Sequence, residues 1–164
     1  MRRIVSFILL FIVCSCGGQR IKTPDVREAI NRNGSVDVPF IQEGKKVVMY
    51  YSAGGFCFSM QDVPHGKIDG IIRDNPGWQF IFYVYCKSDE EVDVIKAWLE
   101  HIGDDFAVRI DREDAFKKAN KMEEYDSIGF ILDDKGNQIG LAVIGTPRSI
   151  FDSEFRKAKR IVGS

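Results

Sequence analysis

The stretch Lys45-Lys46-Val47-Val48-Met49-Tyr50-Tyr51-Ser52 decides the fold, through its own pattern and through the glycine-opened segment joined to its C-terminal end. Between Val47 and Tyr51 it is unbroken by charge and rich in β-branched and aromatic residues, the pattern of a strand covered on both faces. The adjoining segment is Ala53-Gly54-Gly55-Phe56-Cys57-Phe58-Ser59-Met60. Its two glycines read as the opening of a turn. A weak helix is expected from residue 59 to 74, kinked where it contains Pro64 and Gly66. Asn75-Pro76-Gly77 is a turn, and residues 78–86 (Trp78 to Cys86) form a second near-continuous apolar strand. Strand, helix, strand in that order gives a parallel pair with a right-handed crossover.

Downstream, Ser88-Asp89-Glu90-Glu91 is a capping box, with Ser at the N-cap and Glu three positions later. The helix it opens runs to about residue 102, with Val92, Ile95, Trp98, Leu99 and Ile102 on one face, and Gly103 stops it. A short strand at 106–110 and a charged helix at 111–122, packed through Ala115, Phe116 and Ala119, come next. Residues 128–132 form a strand, Asp133 to Asn137 a turn, and 138–144 a strand pairing back as a hairpin. Gly145-Thr146-Pro147 breaks the chain before a last helix at about 149–162, whose Lys157, Lys159 and Arg160 suit the negative end of its dipole. Upstream, Thr23-Pro24 reads as a helix start, with a short helix to Arg32 ended by Asn33-Gly34. The expected class is α/β, a central mixed sheet with helices on both faces.

The N-terminus is an address. Met1-Arg2-Arg3 precedes an apolar run over 4–13, interrupted only by Ser6, and then Cys14-Ser15-Cys16-Gly17-Gly18. This is a secretory signal, too short for a membrane span, which needs ~20 residues. The whole chain of 164 residues leaves room for one ordinary domain. Its 45% hydrophobic content supports a real core and excludes disorder for the bulk of it, and a net charge of −1 gives no electrostatic footprint for a nucleic-acid partner. His65 and His101 stand apart in sequence, and no cysteine–histidine spacing of a metal site occurs. Neither metal nor other cofactor is expected.

Val13-Cys14-Ser15-Cys16 resembles the lipobox of bacterial lipoproteins, with an aliphatic residue at −3, a small one at −1 and cysteine at +1. The resemblance implies cleavage before Cys16, lipid on that cysteine, and a membrane anchor through it. Residues 1–15 would be the signal, 16–35 the anchor, tether and short helix, and 36–164 the folded domain, with residues 17 to about 22 as a polar tether. Gly17-Gly18-Gln19-Arg20 carries no acidic run, which points to the periplasmic side of the envelope rather than the cell surface. Cys57 and Cys86 are then the only thiols left for chemistry.

The order of elements resembles the thioredoxin-like superfamily, in its redoxin and alkyl hydroperoxide reductase/thiol-specific antioxidant branch. The matching parts are the strand 47–51, Ile110-Asp111, Phe130-Ile131-Leu132-Asp133 and Gly145-Thr146-Pro147. The resemblance implies a three-layer fold with the active turn just after Ser52, but that turn departs from the CxxC pattern. In a gapless register, Ala53 and Pro64 match the family and the two cysteine positions fall on Phe56 and Ser59. With one insertion, Cys57 takes the first position and Met60 the second. The segment Tyr125-Asp126-Ser127-Ile128 also lacks the proline the family places there.

Neither register supplies a second thiol from the motif. Cys86, ending the neighbouring strand, could lie near Cys57 as a disulfide or redox partner, or be a buried small hydrophobe. Cys57 is expected in a loop leading into a helix, where the helix N-terminus lowers a thiol's pKa, while Phe56 and Phe58 oppose this by desolvation. Two functions are consistent with these residues. One is a redox-inactive or weakly active binding module with an envelope protein partner. The other is a single-cysteine oxidoreductase or peroxidase using Cys57. His65 is expected at the surface, Trp78, Phe80, Phe82, Tyr83 and Tyr85 in the core, and Asp111, Asp133 and Asp134 at caps and turns.

Overall fold

The computed structural model describes residues 18–61, 63–122, 124–142 and 149–163. Cys14, Cys16 and Gly145-Thr146-Pro147 lie outside the described residues. The strands are β1 (Ala29–Asn31), β2 (Gly34–Ser35), β3 (Lys46–Ser52), β4 (Gln79–Tyr85), β5 (Val108–Asp111), β6 (Ser127–Leu132) and β7 (Gln138–Leu141). The helices are α1 (Ala53–Met60), α2 (Lys67–Arg73), α3 (Asp89–Ile102), α4 (Ala115–Asn120) and α5 (Ser149–Val162). The strands form one sheet in the order β2-β1-β5-β4-β3-β6-β7. β3, β4 and β5 are parallel neighbours, and β6, β7 and β1 run antiparallel to theirs. This is the mixed α/β sheet with helices on both faces that the sequence leads one to expect.

Alternation along β3 builds two cores. Val47, Met49 and Tyr51 point to one face and Val48 and Tyr50 to the other, all of them buried. The chain steps from β3 to β4 to β5 in one direction, and right-handed crossovers keep the connecting helices on one face. That face carries Phe56 and Met60 of α1, Ile68 of α2 and Ile95, Leu99 and Ile102 of α3, with Phe155 and Ala158 of α5 beside them. The other face is closed by α4 and the N-terminal segment. Phe116 stacks on Tyr50 and Tyr83, at centroid distances of 5.6 and 5.0 Å. The two tyrosine hydroxyls are satisfied by the Asp114 carboxylate and the Pro24 carbonyl, to which they donate at 2.8 and 2.6 Å.

Three expectations are corrected. The short helix after Thr23-Pro24 does not form. The segment is extended and leads into the β1–β2 hairpin, so the sheet begins before residue 36. The reason is tertiary: the Ile110 N–H donates to the Glu28 carbonyl, the Tyr83 hydroxyl takes the Pro24 carbonyl, and β1 pairs with β5. Nor are residues 19–22 a free tether. The Ile21 and Gln138 N–H groups bond the Gly136 and Gln19 carbonyls, Ile21 is buried, and Lys22 exchanges two hydrogen bonds with the Asn120 side chain. Finally, the kinked helix is two helices. α1 starts at Ala53 with no turn before it, and the break comes at Pro64, which has no N–H to continue the ladder. Gly66, at φ 68°, then starts α2 from the left-handed region that suits glycine.

Candidate functional site

The C-terminal rim of the parallel strands is where β3 hands the chain to α1. Ser52 is the N-cap, its hydroxyl accepting from the Gly55 N–H at 3.1 Å. The Ser52 N–H donates to the Asp126 carbonyl at 2.7 Å, tying the loop before β6 to the start of the helix. A Cβ on Gly55 would stand 2.7 Å from Ser127 Oγ and 2.8 Å from the Asp126 carbonyl oxygen. The first turn of α1 therefore meets that loop through a position only glycine fills. Among the described residues there is no cis peptide bond, so Ser127-Ile128 is trans.

Cys57 is the fifth residue of α1, not a loop residue. Its N–H lies past the first helical turn, beyond which the dipole's help fades. Burial raises the Cys57 thiol above its ordinary range, only partly opposed by backbone N–H, and no charged residue occurs in α1. The thiol is protonated near neutral pH. Phe56 and Met60, one turn apart, are both fully buried and face the core. Ser59 is half-buried, and Phe58 is 74% exposed. Across the rim, Tyr125 is half exposed.

Cys86 ends the β4 segment on the same face of the sheet as α1, in the core that Cys57 packs against. It is wholly buried, and burial, with Glu91 adding to it, pushes its thiol up to about 12. The two cysteines are free, with no disulfide between them. The structure thus brings Cys57 and Cys86 to one core without joining them, and Cys86 lies fully buried there.

The remaining polar candidates fall where caps and turns need them. Asp111 accepts from the Ala115 and Phe116 N–H groups at 2.8 and 2.9 Å, capping α4. Asp133 accepts from the Lys135 and Asn137 N–H groups inside the hairpin turn. The aromatic residues of β4 pack in the two cores, Phe80 and Tyr85 at their margins. His65 lies at the surface as expected, and the two histidines, far apart in sequence, meet there. His65 and His101 are exposed, with ring centroids 6.1 Å apart, and Trp98 lies edge-on to His101 at 5.3 Å. No third histidine, cysteine or carboxylate joins them among the described residues to make a metal set. Sequence reasoning missed this pair because the break between α1 and α2 carries His65 to the end of α3.

Comparison with solved structures places this arrangement. No family model matches the chain, and no curated protein matches it. The fold is similar to that of the provisionally named thiol:disulfide interchange protein DsbE from Chlorobium tepidum, at a TM-score of 0.60 and 13% identity over 90% of this chain and 98% of that one. A thiol:disulfide interchange protein of the thioredoxin family from Chlorobium tepidum TLS gives 0.55 and 14%, over 87% and 99%. A secreted Mycobacterium tuberculosis disulfide oxidoreductase homologous to E. coli DsbE gives 0.50 and 13%, over 81% and 94%. The fold is thioredoxin-like.

Proposed function

We propose that this chain is a lipid-anchored protein of the cell envelope whose thioredoxin-like body acts as a binding module that has lost the dithiol motif. One observation carries the reading: of the two thiols in the body, one is half-buried a full turn into α1 and the other is wholly buried and unbonded. A dithiol cycle needs an attacking thiolate and a second thiol that can reach the mixed disulfide. A protonated Cys57 and an inaccessible Cys86 supply neither. The rim keeps its architecture, with exposed Phe58 and Tyr125 on the two elements that Gly55 holds together. Exposed aromatic side chains at the rim suit a protein partner. The envelope location rests on the signal-like N-terminus and the lipobox at Cys16, and agrees with the secreted neighbour from Mycobacterium tuberculosis.

The test is turnover. Dithiothreitol-driven reduction of insulin, and mass spectrometry after hydrogen peroxide treatment, are run on wild type and Cys57→Ser. The expected result is no turnover above background and an unmodified Cys57. Turnover, or a sulfenic acid on Cys57, that disappears in Cys57→Ser would overturn the reading. It would instead make the chain a single-cysteine oxidoreductase or peroxidase, resolved by an external thiol. The partial exposure of Cys57 is what favours that second reading.

A further inference from the structure

The end of the sheet opposite the rim holds an open cavity of about 1060 Å³. Lys46 opens β3 and Ser52 closes it, so at ~3.3 Å per residue the cavity lies ~20 Å from the start of α1. Four cationic side chains line it: Arg20, Lys22, Lys46 and Lys135. Lys46 is the unusual one. It is only 6% exposed, and its ammonium donates a single hydrogen bond, to the Gly44 carbonyl at 2.9 Å. An ammonium has three donors, so two find no acceptor among the described residues. Burying a charge without a partner is costly, and burial accordingly lowers the Lys46 pKa, with Glu43 opposing the shift.

The lining carries four cations against three carboxylates, with Asp133 acting on Lys135 from just outside it. Among the described residues, none of the four cations is in a salt bridge, and the side chains of Arg20, Lys22 and Lys135 make no hydrogen bond. Asp25 also lines the cavity, but Arg109 and Arg27 engage it at 3.4 and 3.8 Å. That leaves Glu43, which acts on Lys46, and Asp134, and neither carboxylate has a hydrogen bond among the described residues. Cations beside a buried ammonium suit a phosphate. Two spare carboxylates beside them are unfavourable for a bare anion, yet they are good acceptors for hydroxyl groups.

We propose that this cavity is a binding site for a phosphorylated polyol, with the phosphate against Lys46, Arg20, Lys22 and Lys135 and the hydroxyls on Glu43 and Asp134. The site is independent of whether Cys57 reacts. Two sources of such a ligand exist. Arg20 is four residues past Cys16, so a glycerophosphate headgroup of the anchoring membrane is one, and a soluble phosphate ester is the other.

The test uses the full chain in a neutral maltoside detergent at low ionic strength, titrated by calorimetry with glycerophosphoglycerol, inorganic phosphate and glycerol. Glycerophosphoglycerol is expected to bind at least tenfold more tightly than inorganic phosphate, with no heat from glycerol. Lys135→Glu and Lys46→Met should each weaken binding at least tenfold. Lys46 is buried, so its variant counts only if circular dichroism shows it folded. Lys135, on an exposed turn, carries the test alone if it is not. No binding of either phosphate probe, or binding unchanged in Lys135→Glu, overturns the proposal. Inorganic phosphate binding as tightly as the ester overturns the polyol part. The source is then read by placing the chain in phosphatidylglycerol or phosphatidylcholine nanodiscs. Weaker uptake of added glycerophosphoglycerol in the anionic discs supports the site with the headgroup as occupant. Equal uptake in both supports it with a soluble ester.

Discussion

Gly54 and Gly55 are adjacent, and a methyl group would have opposite effects on them. In a helix, alanine is favoured over glycine by ~1 kcal/mol. A Cβ on Gly54 meets nothing within 4 Å, so Gly54→Ala should stabilise by roughly 0.5–1 kcal/mol. A Cβ on Gly55 would collide with the Asp126 carbonyl and Ser127 Oγ, so Gly55→Ala should cost roughly 1–3 kcal/mol despite the better propensity. Urea denaturation of the two variants checks the contrast, and equal midpoints would contradict the close approach of the loop. At the same scale, the cysteines should differ in alkylation. Iodoacetamide at neutral pH should modify Cys57 more slowly than a free thiol, and Cys86 only on unfolding. Cys86 also sets a pH dependence. The folded state keeps its proton up to about 12, whereas an unfolded thiol releases it near 8.5. Unfolding therefore releases a proton across that window, and stability should fall as pH rises from about 9. Cys86→Ala should flatten this limb in thermal melts taken between pH 8 and 10, before the buried tyrosines titrate.

At the scale of elements, capping sets where helices begin. The Ser88 hydroxyl accepts from the Glu91 N–H at 3.4 Å, and Glu91 accepts in turn from the Lys87 N–H. Ser88→Ala should cost ~1 kcal/mol, measured by urea midpoint, with α3 shortened at its start in hydrogen exchange. This element was legible in the sequence because its signals are local: the serine, the glutamate three residues on, the apolar spacing from Val92 to Ile102 and Gly103 at the end. The strands β3 and β4 were legible for the same reason. The start of α1 was not. Gly54-Gly55 looks like a turn until the loop at 126–127 shows what the missing side chains make room for. The segment after Thr23 was misread because its cap and proline are true local signals, outweighed by distant partners at Tyr83, Ile110 and Arg109. Of the candidate site, the identity of the residues was legible and their depth was not. Nothing in the spacing of Cys57 fixes whether it starts a helix or sits a turn inside it.

At the scale of the molecule, two ends of one sheet carry different equipment. One has the rim with Cys57, Phe58 and Tyr125, and the other the cationic cavity, ~20 Å away along β3. If Cys16 carries the lipid, Cys16→Ser should move the chain from the membrane pellet to the soluble fraction on cell fractionation, and metabolic labelling with a palmitate analogue should be lost. Retention of both label and membrane association would show that Cys16 is not the anchor.

The stitched segment at residues 19–22 has a mechanical consequence. With Gln19 and Ile21 bonded into the β6–β7 turn and Lys22 clasped by Asn120, the leash beyond a lipidated Cys16 is only about three residues, ~10 Å when taut. Were Cys16 lipidated, such a body would not roam the space above the bilayer. It would ride close to the surface, and lateral drag on the lipid would be delivered to the hairpin that the leash grips.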